Sequence, residues 1–584
     1  MSFALGVERS VIGQPWRWRR SAEPEFGIDQ LADELLLARG VPREDLARHR
    51  DPRIRDFLPD PSCFQDMDKG ARRLADAVEA GERIAIFGDY DVDGATSAAL
   101  LVTLLRRLGR EAMVYIPDRL MEGYGPSGEA LVELKRKGAS LAVCVDCGAQ
   151  AFEALEQARD SGLDVIVVDH HQCASLLPVA FALINPNRLD ESADGAAHGH
   201  LAAVGMAFLL GVALLRELRD RGYFADGRSE PKLLDLLDLV ALGTVADVAR
   251  LKSLNRAFVT QGLKIMAGRQ NLGLVALAEA ARLAKPPTCR DLGWALGPRI
   301  NAGGRVGKSD LGVRLLTCTD PEEARTIAAE LDRLNEERRA IELQVCEEAE
   351  AQARDQAGSP LLLVSGSGWH PGVIGIVAGR LKERFGRPAI VVAIDGDGIG
   401  KGSGRSIGGV DLGAAVLAAK DSGLLIAGGG HAMAAGLTVA DGGVEPLREF
   451  LTVRLAGDVE AALGGRALLL DALLAPGGVA GALCDLLDTA GPYGAGWPAP
   501  RMAAGPARLI RTGIVGDGHV RGLACGDDGK SFKWIAFRSA STDLGQALLA
   551  SPSDRRWWLA GAIRRDDWNG GNAAEMHVED AAAA

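Results

Sequence analysis

With 584 residues, 47% of them apolar and a quarter charged, the chain is long enough for several domains and too rich in recurring hydrophobic runs to be disordered. Its formal charge of -12 excludes any inference of a nucleic-acid ligand from bulk charge, so a basic groove would have to be local. No apolar run is long enough to span a bilayer, and Met1–Arg20 sets Trp16 and Trp18 among arginines without the apolar centre of a signal peptide. Nine scattered cysteines then fit reduced thiols in a cytoplasmic protein. One C-x-x-C occurs, Cys144 to Cys147, but it lies in an apolar run with no second pair and reads as structural.

Residues up to about Pro61 are mixed and carry no clear pattern. Gln65–Gly81 has apolar residues at helical spacing and ends on glycine, so it is predicted as a helix. A regular alternation begins there. Strands are predicted at Arg83–Gly88, Glu111–Ile116, Leu141–Asp146 and Asp164–Val168. Helices are predicted at Ala95–Leu108, Ser127–Lys137 and Ala151–Ser161, each stopped by a glycine. Strand, helix, glycine, strand is the pattern of βαβ units and a parallel sheet. The strands lack period-2 alternation, as expected when helices cover both faces.

The residues just past each strand carry the chemistry. The first strand runs into Asp89, Asp91 and Asp93, the third into Asp146, and the fourth into Asp169, His170 and His171. Right-handed crossovers keep these ends on one edge of the sheet, where ligands of open α/β sheets bind. One such aspartate is ordinarily a helix cap, and an acidic turn alone is common. Three clusters in phase, one with two imidazoles, point to a divalent cation held by oxygen and nitrogen. A helix over Pro231–Val240 leads to Asp247 in an otherwise apolar stretch, which reads as a further ligand because buried carboxylates are rare unless paired or metal-bound. As an H-x-H pair His198 and His200 could bind metal, but among so many glycines and alanines they read as a surface loop.

Arg299-Ile-Asn-Ala-Gly-Gly-Arg305 is predicted as a loop able to hold phosphate through guanidinium groups. Asp320-Pro-Glu-Glu starts a helix reaching about Ala357, whose charge-laced surface suggests a solvent-facing connector. Beyond it lies a second α/β domain, with strands at Leu361–Val364 and Pro388–Ile394 around a helix from Trp369 to about Phe385. Two glycine-rich loops are predicted there, Gly400–Ser406 for phosphate and Gly428–Gly436 leading into a helix with His431 at its start. From about Leu468 the texture turns to short strands, as in a small barrel. Phe532, Lys533, Trp534 and Phe537 could be its strand-binding face or its core.

Together, G-D-Y-D-V-D-G-A-T-S, V-D-C-G, V-D-H-H and G-T-V-A-D-V resemble the four motifs of the DHH phosphoesterase superfamily. G-S-G-R-S and G-G-G-H-A-M-A-A-G resemble its DHHA1 domain. Ile116-Pro-Asp-Arg119, Glu122-Gly-Tyr-Gly125, R-I-N-A-G-G-R and Leu334–Glu342 bring the resemblance closest to the RecJ family of single-strand-specific 5′→3′ exonucleases. The resemblance implies an N-terminal segment 1–64, a parallel-sheet DHH domain 65–318, a connector helix 319–358, a smaller α/β DHHA1 domain 359–455 and an OB-like β-barrel 465–584. It implies that Asp91, Asp93, Asp146, His170 and Asp247 bind Mn²⁺ or Mg²⁺, with Asp89 and His171 supporting them or binding a second ion. Arg119, Arg299, Arg305, Ser403, Arg405 and Ser406 would lie along the nucleic-acid path, Ser403 and Arg405 at a 5′-phosphate, and His431 would face the scissile phosphate. Single-stranded DNA is the implied substrate, single-strand-binding protein and a RecQ-type helicase the implied partners, and a monomer the implied state. Two rivals remain at this point: a phosphoesterase for pyrophosphate, nanoRNA or cyclic dinucleotides, and an inactive DNA-binding scaffold. The presence of every acidic motif residue argues against the second.

Overall fold

In the computed structural model of the chain, which describes residues 3–20, 30–119, 122–566 and 573–584, the sheet that carries the site has five parallel strands. In spatial order they are Ala112–Tyr115, Ile84–Gly88, Leu141–Val145, Asp164–Val168 and Ala182–Ile184. The second and third are buried along their whole length, which explains their unbroken apolar sequence. The fifth, only three residues, is too short to stand out by pattern.

The connecting helices are Val92–Arg107, Gly128–Arg136 and Phe152–Asp160. The first begins earlier than the sequence suggests. Asp91 is its N-cap, its Oδ1 accepting from the Gly94 amide at 3.1 Å, so Asp93 lies in the first helical turn rather than on a loop. Gly94 is required for that turn to lie on the strand end. A Cβ there would sit 2.5 Å from the Asp89 carbonyl oxygen. Helix Leu237–Ala246 packs across the same helix and ends at Asp247.

Three expectations are corrected. The segment Arg299–Arg305 is not a loop but part of the helix Gly297–Val306. Its glycines serve close packing: a Cβ at Gly304 would meet the Tyr90 carbonyl oxygen at 2.8 Å. The helix Pro321–Asp355, capped by Asp320 through the Glu323 amide at 2.8 Å, is not merely solvent-facing. It buries Ile327, Leu331, Leu334 and Val345, packing on Gly297–Val306 and on Ile374–Phe385. Finally, both glycine-rich stretches of the second domain are strands. Its sheet runs Ala427–His431, Ala434–Val439, Gly400–Arg405, Ala389–Ile394, Leu362–Ser367, and only the last two pair in parallel. In G-K-G-S-G-R the glycines share one face. A Cβ at Gly402 would lie 2.5 Å from Leu437 Cδ1, and one at Gly404 2.6 Å from Leu412 Cδ2. Glycine lets the core press directly on the strand while Lys401, Ser403 and Arg405 line the other face.

These elements belong to one compact unit, Asp60–Asp247 with Gly262–Gly465. The other draws on residues 1–59, 248–261 and 466–584. In it, Met502–Val515, His519–Cys525, Ser531–Ala536, Ala574–Ala583 and Arg556–Arg565 close into a five-strand barrel, the first pairing with the last. Phe532 and Trp534 are core residues of the barrel, Lys533 pairs with Asp566 at 2.7 Å, and Phe537 alone of the four is exposed. The N-terminal segment joins this unit. Trp16–Trp18 pairs with Leu468–Leu470, and Trp16 Nε1 donates to Asp580 at 2.8 Å. Among the described residues no cysteine is in a disulfide. Among the described residues, no helix is long and apolar enough to cross a membrane.

Because Gly94 seats the Asp91–Asp93 turn on the strand, Gly94→Ala is expected to displace it, costing about 1–3 kcal/mol of stability and at least about tenfold in Mn²⁺ affinity. Denaturant unfolding and calorimetric titration measure both, and an alanine variant with wild-type metal affinity would refute this account of the turn.

Candidate metal centre and phosphate cleft

Strand register assembles the centre. Gly88, Val145 and Val168 are neighbours across three parallel strands, so Asp89, Asp146 and Asp169 leave the sheet side by side. The ladder continues one step further: the Asp146 amide donates to the Val168 carbonyl at 3.0 Å, and the Asp169 amide to the Ile184 carbonyl at 3.1 Å. Asp146 itself adopts φ of 61°, the left-handed region that non-glycine residues avoid. Backbone strain of this kind clusters at functional sites.

His170 Nδ1 lies 3.1 Å from the Leu201 carbonyl, which makes that nitrogen the N–H donor and leaves Nε2 a bare acceptor. Nε2 is 3.3 Å from Asp146 Oδ1 and 3.8 Å from Asp93 Oδ2. Asp247 Oδ2 is 3.9 Å from the other side of the ring. Asp93 is also held by the amides of Ala203 and Val204, at 2.7 and 2.9 Å, at the start of helix Ala203–Asp220. Three groups of candidate ligand atoms, each within 4.8 Å, overlap here: Asp89, Asp91 and Asp146; Asp93, His170 and Asp247; Asp146, His170 and His171. Every acidic and imidazole residue that the resemblance makes a ligand or its support thus converges here. His198 and His200, half-buried with ring centroids 6.1 Å apart, are not part of any of the three groups.

Two residues of the centre have roles that the sequence does not assign. Asp169 has both oxygens occupied, by the amides of Ala149, His170 and His171 and by His171 Nδ1 at 2.7 Å. It orients the histidines rather than facing the ligand cluster. Tyr124 donates to the Asp146 carbonyl at 3.0 Å and lies 3.1 Å from His171 Nδ1. The tyrosine is visible in the E-G-Y-G motif; nothing local marks its partner.

The electrostatics are those of a site built for a cation. Burial, and then Asp91, raise Asp89 and push Asp93 to about 7. Burial, Asp91 and Asp93 raise Asp146 far above the carboxylate range, and burial with Asp93 raises Asp247 to about 9. Burial and the neighbouring His171 lower His170 to about 4, so its ring is neutral and able to ligate. For His171 burial opposes charge, but the Asp169 hydrogen bond prevails and holds it at about 9. Asp89 Oδ1, Asp146 Oδ1 and His170 Nε2 are buried and make no hydrogen bond. Orphaned acceptors and repelling carboxylates in one cavity fit Mn²⁺ or Mg²⁺, for which oxygen-rich, partly imidazole sets are suited.

Guanidinium groups gather beside the carboxylates. Arg305 donates through Nη1 to the Gly372 carbonyl at 2.8 Å, joining the two α/β domains. Burial, then Arg119 and Arg338, lower it to about 10, while Asp91 opposes them. Burial and Arg119 also lower Arg405. Arg119 lies over the Tyr90 ring at 4.9 Å. Arg405 Nη1 contacts Ser403 Oγ at 3.2 Å, and Gly375, in the first turn of helix Ile374–Phe385, leaves open the space they face. A Cβ there would be 3.0 Å from both Ser403 Oγ and Arg405 Nη2. Hydroxyl, guanidinium and helix N-terminus make a phosphate-binding set.

Arg299 is tied to Asp332 at 2.8 Å and to the Ala295 carbonyl at 2.7 Å. Ser406 is fully buried and donates to the Val410 carbonyl at 2.8 Å. His431 ends an edge strand instead of starting a helix, and lines a cleft of about 300 Å³ with Asp411 and Leu417.

Comparison with known proteins agrees with this architecture. Residues 83–244 match the DHH family N-terminal domain, 358–455 the DHHA1 domain and 470–580 the RecJ OB domain. The single-stranded-DNA-specific exonuclease RecJ of Dickeya dadantii is 42% identical over 521 residues, 86% of this chain and 88% of that protein. That of Escherichia coli is 40% identical over 507 residues, covering 85% and 86%. The structure of RecJ from Thermus thermophilus in complex with Mn²⁺ superposes with a TM-score of 0.75 at 29% identity, covering 97% of this chain and 79% of that one. Its complex with Mg²⁺ gives a TM-score of 0.69 at 28% identity, covering 97% and 78%.

The raised carboxylates set a pH dependence. A folded aspartate with a raised pKa binds more protons than the unfolded chain, so without metal it costs stability as pH climbs from about 4 toward 7 for Asp93 and 9 for Asp247. A divalent cation replaces those protons. Mn²⁺ is therefore expected to raise the melting temperature more at pH 8 than at pH 6, by scanning calorimetry. An equal shift at both pH values would contradict proton–metal exchange at these aspartates.

Proposed function

Because this chain belongs to the RecJ family of the DHH superfamily, we propose that it is a metal-dependent exonuclease that degrades single-stranded DNA from the 5′ end in repair and recombination. The observation that carries the reading is the convergence of orphaned carboxylate and imidazole acceptors with a cluster of arginines at one sheet edge. Asp89, Asp91, Asp93, Asp146, His170 and Asp247 hold the ions. When bound, Mn²⁺ or Mg²⁺ stabilises charge building on the scissile phosphate and brings the pKa of water toward neutrality. Asp169 and Tyr124 fix the His171 ring beside Asp146.

Arg119 and Arg305 neutralise the backbone entering the centre, and Ser403 with Arg405 takes the terminal 5′-phosphate. That anchor, set on a strand of the smaller domain, gives the polarity. Arg299 and Ser406 act by holding the connector helix and the loop after Arg405, as their occupied hydrogen bonds support. His431 meets the strand from the edge of the second sheet. We place the enzyme in the cytoplasm as a monomer, working with single-strand-binding protein and a RecQ-type helicase. Its domains are the segment 1–64, the DHH domain 65–318, the connector 319–358, the DHHA1 domain 359–455 and the barrel domain 465–584.

Asp91→Ala, with folding verified by circular dichroism, is expected to lower nucleotide release from a single strand by roughly 10³-fold or more. Strands labelled at either end, set against a dinucleotide, read polarity and substrate class together; near-full activity in the variant would remove the metal role. Arg405→Ala is expected to weaken the preference for a 5′-phosphorylated over a 5′-hydroxyl strand by about tenfold or more, the scale of a charge-assisted hydrogen bond. Competition between the two strands measures it, and an unchanged preference would place the 5′-phosphate elsewhere.

A further inference from the structure

Six of the chain's tryptophans, Trp16, Trp18, Trp369, Trp497, Trp534 and Trp557, are buried. Trp294 is 81% exposed. Its backbone is unusual too. Leu292–Leu296 is a single turn of π-helix, closed by the Gly297 amide on the Leu292 carbonyl, and such turns are frequent at functional sites. Leu292 and Leu296 face the core at 0% exposure, and the wide turn between them puts the indole in solvent. Arg299 Nη1, donating to the Ala295 carbonyl at 2.7 Å, pins the turn from outside.

The turn lies directly on the metal-bearing elements. A Cβ at Gly293 would be 3.5 Å from Val245 Cγ1, two residues before Asp247. One at Gly297 would be 3.3 Å from Ala246 Cβ and 3.9 Å from Val92 Cγ2, and Val92 stands between Asp91 and Asp93. The helix continuing from it carries Arg305, which faces Asp91 and Arg119. An exposed indole therefore stands on a turn that packs against both ligand-bearing segments and opens the helix that supplies an arginine.

We propose that Trp294 is a positioning residue for the strand, its indole stacking on one nucleobase close to the scissile phosphate. The proposal rests on the nuclease reading. Every base presents a π-face, so a stacking platform holds a single strand without reading its sequence, and a paired base cannot offer that face. The ring then selects unpaired DNA at the point where the backbone meets the centre, and fixes which phosphate is presented.

The test uses the full chain, a fluorescent single strand with Ca²⁺ for binding, and the same strand with Mn²⁺ for turnover. Trp294→Ala is expected to weaken binding and raise KM about tenfold, the scale of one base–aromatic stack, with kcat much less affected. Trp294→Phe restores most of the loss and Trp294→Leu does not. Replacing nucleotides one at a time by abasic residues should reveal a single position that weakens wild-type binding equally and adds nothing in Trp294→Ala. Wild-type affinity indifferent to abasic residues throughout, or a leucine that rescues as well as phenylalanine, overturns the stack; the first holds even if a variant fails to fold. A wild type that binds with this abasic dependence but releases no nucleotide overturns the nuclease reading and leaves the stack standing.

Discussion

Everything in the catalytic unit answers one electrostatic constraint: more carboxylates are buried at one sheet edge than can be ionised together. Burial raises the proton affinity of Asp89, Asp93, Asp146 and Asp247, and the neighbouring carboxylates add to it. Such a cluster persists only if its position is imposed by structure stronger than the repulsion. Parallel register imposes it for Asp89 and Asp146, and the two amides of helix Ala203–Asp220 impose it for Asp93. The frustration is local, and cation binding would relieve it.

Glycine makes that crowding geometrically possible. Gly94 lets a helix start almost on top of the strand end, and Gly304 lets a second helix rest on Tyr90. Gly402 and Gly404 bring a sheet face against its core so that Ser403 and Arg405 are thrust toward the space over Gly375. In each place a side chain would separate a charged group from the one it must reach. The abundance of glycine in this chain therefore belongs as much to close approach as to turns.

The alternation of strands and helices, and the carboxylates at strand ends, were legible because a parallel sheet writes its edge into sequence once per βαβ unit. The features that failed to show did so for identifiable reasons. G-K-G-S-G-R has the period of two that marks a strand, but glycine's turn preference hid it. R-I-N-A-G-G-R looked like a loop because two glycines lower helix propensity, and only the close packing against Tyr90 explains them. Asp169 stood in plain view, yet its role depends on amides of Ala149 and His171, which no spacing announces. The union of Trp16–Trp18 with Leu468–Leu470 spans most of the chain, and nothing in either segment names the other.

The connector helix shows how the two chemistries are kept at a fixed separation. Its buried face is not purely apolar. Arg338 donates to Glu342 at 2.7 Å and to Asn335 at 2.9 Å, and Glu342 also pairs with Arg380 of helix Ile374–Phe385 at 2.5 Å. Breaking one member of a buried ion pair costs about 3–5 kcal/mol, because the partner is left charged without solvent. An apolar seam of the same size would tolerate sliding by a fraction of a turn; a directional network of this kind has one register. Arg305, repelled by Arg338 and hydrogen-bonded to Gly372, is set by that register on both sides. The distance from Ser403 and Arg405 to the carboxylates is thereby a property of a rigid helix rather than of a linker.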